Sequence, residues 1–206
     1  MSAIRQTIAI GNVLRAELRS FVVASRIPAP EVPTFGAFVR APIQQGTAEL
    51  IGLVYDIRLL DDPFLRNLAA TVVPGIPEYD EIIRDQRENR AVPVEISVAA
   101  VGYRYSGMKG YTYGYPPQPP MVLHQIEICS ADEVREITST PDFMRALLDN
   151  PDLPADELIP TVLLRTAPDD GDDRRRALIE AGRYLARHLG RDPMRLEKVL
   201  RRIDGS

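Results

Sequence analysis

Residues able to do chemistry are few in this 206-residue sequence, and their spacing suits almost no familiar reaction. There is one cysteine, Cys129, and the two histidines are His124 and His188. One Cys and two His cannot supply a zinc quartet at the usual ligand spacings, and a lone cysteine makes no internal disulfide. The only lysines are Lys109, inside SGMKGY, and Lys198, inside a helical stretch, so neither completes a GxxxxGK phosphate-binding loop. No GxGxxG follows a strand pattern, and no GxSxG elbow occurs. His124 lies near Cys129 and Ser130, but in a strand His124 and Cys129 would point to opposite faces. His124 therefore reads as a core or barrel-wall histidine and Cys129 as a small buried hydrophobe. The acidic pairs Asp61-Asp62 and Asp80-Glu81 read as solvated acids of a loop and a helix start. The expectation is a protein that is not an enzyme, with no catalytic residues, no metal and no cofactor.

Two groups of residues point instead to binding. Tyr103, Tyr105, Tyr111, Tyr113 and Tyr115 alternate on either side of a glycine-bearing turn, with Arg104 and Lys109 close by. A hairpin would gather them in two rows, with Tyr103 and Tyr105 on the solvent parity of their strand. Such rings could anchor another protein or stack nucleobases, or else cover a helix or the proline-rich stretch of the same chain. The second group is the C-terminal arginines, including Arg174, Arg175, Arg176, Arg183 and Arg187. Residues 174–206 carry a balance of +6 and residues 1–173 one of −10, within a total of −4. The basic tail could contact phosphates, dock on an acidic partner or the acidic body, or remain a solvated helical face.

These groups need elements to position them. Ile8–Leu14 and Phe21–Val23 read as strands, PAPEVP at 28–33 as a connection, and Phe35–Val39 as a further strand. After Gln44-Gln45-Gly46, Ala48–Leu60 places Ile51, Leu53, Tyr55, Ile57 and Leu59 on one face. A helix is predicted near 78–90, then a strand with Val92, Val94, Ile96, Val98 and Ala100 inward, and another from Met121 to Cys129 with Val122, His124, Ile126 and Ile128 on one face. Ser130 and Glu133 match a capping box, and Thr140-Pro141 opens a helix through Phe143 and Leu147. A turn over 155–159 and a strand-like piece, Thr161–Leu164, follow. APDDGDD at 167–173 is a linker that caps a helix ending at Gly190, and Asp192-Pro193 starts a last one. The fold class is α+β: a small closed β-barrel with an inserted helix over residues 1–130, and a mainly helical region over 131–206 ending in a helical hairpin. No run approaches a signal peptide or a membrane span, so the expected protein is soluble and cytoplasmic.

The opening strands carry a resemblance. Gly11 followed by Val13, the stretch Phe35-Gly36-Ala37-Phe38-Val39, and Ile51-Gly52-Leu53-Val54 together resemble the HAS barrel, the small β-barrel shared by HerA-type DNA translocases and the catalytic subunits of rotary ATP synthases. In those families the barrel precedes a RecA-like ATPase core and helps arrange subunits in a ring. The present sequence lacks the Walker lysine and the length for such a core. The resemblance therefore implies a stand-alone assembly or adaptor module that associates with itself or docks to a separately encoded ring ATPase or DNA-processing partner. Nucleic-acid binding through the tyrosine hairpin and the basic helices is the alternative.

Overall fold

Alternation turns Phe21 and Val23 of β2 (Ser20–Ser25) toward an interior that Ile10 and Val13 of β1 (Ala9–Ala16) share, because a bulge at Ile10 shifts the register of β1. The same holds for β3 (Phe38–Ile43), β4 (Ala48–Leu59), β5 (Val94–Tyr105) and β7 (Gln125–Ile128). The computed structural model describes residues 8–25, 33–60, 94–169 and 171–204. Six antiparallel strands close in the order β1-β7-β3-β4-β5-β2, with β2 returning to pair with β1, so this barrel has no open edge. The two-residue β6 (Thr112–Tyr113) pairs outside the ring, with the second half of β5. The predicted inserted helix near 78–90, the pairs Asp61-Asp62 and Asp80-Glu81, and most of the 28–33 connection lie outside the described residues.

The barrel is buried on two sides, which is why its strands are apolar beyond simple alternation. Leu50, Val54, Ile96 and Val98 fill the interior, whereas Phe38, Ile51, Leu53, Ala99 and Val101 face outward into a second core made with the helices. Those helices are α1 (Ala131–Ile137), α2 (Met144–Leu148, entered through a 3-10 turn at Pro141–Phe143), α3 (Ala155–Thr166), α4 (Gly171–Leu189) and α5 (Pro193–Asp204). Phe38 meets Phe143 edge to face, with ring centroids 5.9 Å apart, at the centre of this seam. Arg40 ties it electrostatically: its guanidinium lies 2.7 Å from Glu127 on β7 and 2.6 Å from Glu133 on α1. Glu133 also accepts from the Ser130 backbone N–H at 2.7 Å, completing the capping box read from the sequence.

Several local expectations are corrected. Phe35-Gly36 is a turn rather than a strand: Ala37 N–H donates to the Thr34 carbonyl at 2.9 Å, and Gly36 takes the φ of +74° that such a turn needs at its third position. Residues 155–166 are one helix, not a turn and a strand. Pro160 lies inside it and cannot donate to the Asp156 carbonyl; Arg202 of α5 donates to that oxygen instead, at 3.2 Å. In β4 the register moves from Val54 opposite Val98 to Asp56 opposite Ser97, so Tyr55 is an extra residue. That bulge turns Ile57 into the interior, away from the face of Ile51, Leu53 and Tyr55. The strand before Cys129 covers only Gln125–Ile128, because Met121–His124 form a turn closed by a 3.1 Å bond from His124 N–H to the Met121 carbonyl.

Candidate functional site

A second bulge decides where the tyrosines go. Ile51 lies opposite Gly102 and Gly52 opposite Ala100, so β5 carries Val101 as an extra residue and its parity reverses. Tyr103 and Tyr105 therefore stand on the interior side, at one barrel end, and not on the solvent face that unbroken alternation predicts. Their rings meet at 5.7 Å and 87°, and Tyr103 packs on the interior core. Gly102 was the available signal: a Cβ there would lie 2.8 Å from the Thr112 carbonyl, so the close approach of β6 requires glycine.

The remaining rings are dispersed. Tyr113 packs on the helical core and donates its hydroxyl to the Ile137 carbonyl at 2.7 Å. Tyr111 packs there as well, with the Arg104 guanidinium 4.7 Å from its ring centroid. Arg104 is in turn 3.3 Å from both Glu49 and Glu136. Tyr115 is exposed beside Arg19, and Lys109 is exposed at the hairpin tip. The five tyrosines do not form a single stacking platform.

Burial under the helices sets the chemistry of two groups at this seam. It pushes the Cys129 thiol from its ordinary 9.0 up to about 12, with the Glu133 charge adding to the effect. The Tyr111 phenol rises from 10.0 to about 12, again through burial, with Arg104 opposing the shift. Both native values exceed those of the unfolded chain, so above about pH 9 the unfolded chain releases protons that the native state keeps. Stability contributed by these groups is complete below that pH and is lost as pH rises toward 12. Urea midpoints measured across this range should fall, and Cys129→Val should delay the onset of the fall to about pH 10. An unchanged profile in that variant would remove Cys129 as the cause.

One barrel end gathers features that are scattered along the sequence. The turns after β1, between β3 and β4, after β5 and before β7 all lie there. Met121, Val122 and Leu123 are 65%, 57% and 77% exposed, and Leu14, Leu18, Tyr105 and Met108 on the same end are exposed too. Among the described residues, the non-glycine positions with left-handed backbones are Gln44, Gln45 and Leu123, and all three belong to these turns. Leu123 holds φ at +70° while its side chain points largely into solvent, which is unfavourable twice over. The sequence signal was present as the apolar triplet after PPQPP, but strand alternation absorbed it.

The tail arginines divide into used and unused. In α5, Arg195 lies 2.7 Å and Lys198 3.8 Å from Asp156, and Arg202 pairs with Glu157, so this face rests on the acidic first turn of α3. Arg176 pairs with Asp173, and Arg174 donates weakly to the Leu164 carbonyl at 3.5 Å. Arg175, Arg183 and Arg187 on α4 are exposed and have no ion pair among the described residues. The helical hairpin itself is as expected: Asp192 caps α5 by accepting from Arg195 N–H at 3.1 Å. The residue preceding α4 lies outside the described residues.

The reactive side chains stay apart. His124 is half-buried, with Nδ1 3.3 Å from the Pro42 carbonyl, and Cys129 is buried. No group of three or more His, Cys, Asp or Glu side chains suited to a metal ion occurs among the described residues. Nor is any helix among them long and apolar enough to cross a membrane. No protein-family model matches the chain, and no curated protein matches its sequence.

Proposed function

We propose that this chain is a non-enzymatic assembly module whose exposed barrel end is a contact surface for a second copy of itself. The observation that carries this reading is the apolar turn Met121–Leu123, held in a strained backbone and surrounded by other exposed apolar side chains at the same end. Apolar groups grouped in this way lose little by remaining ordered and gain when a protein covers them. The closed six-stranded barrel suits the resemblance to HAS barrels, and through it a ring or paired arrangement of like subunits. Docking to a separately encoded ring ATPase would use the same surface and is the other outcome of the test. Nucleic-acid binding is the weaker reading, because the tyrosines that would stack bases are divided between the barrel interior, the helical seam and Arg19.

The test is a double substitution, Met121→Glu with Leu123→Glu, compared with Met194→Glu, which is equally exposed but lies on α5. The barrel-end variant should shift the association midpoint at least tenfold toward higher concentration in light scattering, while Met194→Glu leaves it in place. Equal behaviour of the two variants would contradict the proposal.

A further inference from the structure

Helix α4 has 19 residues and α5 has 12, lengths of about 28 Å and 18 Å, so α5 covers only part of one α4 face. The two helices leave an open groove lined by Leu178, Gly182, Leu200 and Ile203, with Arg175 and Arg183 on its α4 side. Gly182 leaves the floor of the groove without a side chain; a Cβ there would make only ordinary contact with Leu200, at 3.8 Å. Arg175, Ile179 and Arg183 follow one another at four-residue spacing along one helical face, so two arginines whose backbone positions are about 12 Å apart along the axis flank an isoleucine that is 45% exposed. Neither arginine has an ion pair among the described residues, in contrast to the neighbouring Arg176 and to Arg195 and Arg202 of α5.

We propose that this groove binds an acidic amphipathic helix of a partner protein. The inference rests on the assembly reading and extends it to a second surface with a partner of different chemistry. Apolar side chains of the incoming helix would cover Ile179 and the groove lining, and carboxylates on its flank would reach Arg175 and Arg183. Charge complementarity selects the occupant: unpaired guanidinium groups beside an apolar strip fit carboxylates bracketing apolar residues. No groove-lining residue is aromatic, so the groove offers a single-stranded nucleic acid nothing on which to stack its bases.

The test is selection of a displayed library of helical peptides on the full chain, followed by affinity measurements on the selected peptides. The expected result is enrichment of acidic sequences with apolar residues three and four apart. Ile179→Asp should weaken their binding at least tenfold, and a protein carrying both Arg175→Glu and Arg183→Glu should enrich basic sequences instead. The barrel-end variant Met121→Glu with Leu123→Glu should still select the acidic peptides, which separates failure of the groove from failure of self-association. No enrichment, enrichment without apolar periodicity, unchanged selection by the charge-reversed protein, or tighter retention of a single-stranded oligonucleotide than of any peptide would each overturn the proposal.

Discussion

Replacing Arg40 by Met will lower the unfolding free energy by about 3–5 kcal/mol, far more than an exposed salt bridge would account for. The reason is the environment of its partners. The Glu133 side chain is only 5% exposed and the Arg40 side chain only 16%, and the same guanidinium also holds Glu127 at 2.7 Å. Removing the cation leaves a buried carboxylate on α1 without that charge while the barrel and the helix stay packed around it. A double variant that adds Glu133→Gln should recover part of the loss, because an amide can still accept from Ser130 and carries no charge. Urea unfolding of the two single variants and the double variant measures the coupling. A cost below about 0.5 kcal/mol for Arg40→Met would mean that the triad is solvated in solution.

Gly11→Ala carries the second large expected effect, a loss of about 3 kcal/mol or more. Gly11 holds φ at +146°, a conformation that an L side chain rarely adopts, and a Cβ there would stand 2.3 Å from the Ala24 carbonyl oxygen. Because the contact is with backbone, relief requires the β1 and β2 strands to move apart in a closed barrel. Gly114 provides the comparison, with φ at +134° and open space around the missing side chain. Gly114→Ala should cost about 1 kcal/mol, the conformational penalty without the collision. Thermal unfolding of the pair separates these contributions, and equal costs would show that the strand contact is not limiting.

How far the sequence carried the fold depends on what each signal encodes. Strand existence was legible from the apolar run Phe21–Val23 and from alternation at Ala48–Leu59 and Val94–Ala100, and closure into a barrel from short strands punctuated by Pro and Gly. The capping box at Ser130 and the Asp192 cap were legible because both are local hydrogen-bond patterns with fixed spacing. Parity failed at Tyr55 and Val101, since a single inserted residue reverses every side chain beyond it and leaves the composition unchanged. Helix α3 is not legible because Pro160 ordinarily ends a helix, and the donor that replaces its missing N–H, Arg202, is distant in sequence. The candidate surfaces followed the same division. Free arginines on α4 were visible as a charge run, but the consumption of the α5 cations by Asp156 and Glu157 is a tertiary fact. Of the apolar barrel end the sequence shows only the Met121–Leu123 triplet; the patch as a whole is not legible, because its turns are separated in the chain and only closure of the ring brings them together.

Sedimentation equilibrium of the unmodified protein over a wide concentration range tests most directly the proposal that a second copy of the chain covers this barrel end. A reversible, concentration-dependent rise to a whole-number multiple of 23.0 kDa is the predicted result. A single species of 23.0 kDa at every concentration would contradict it.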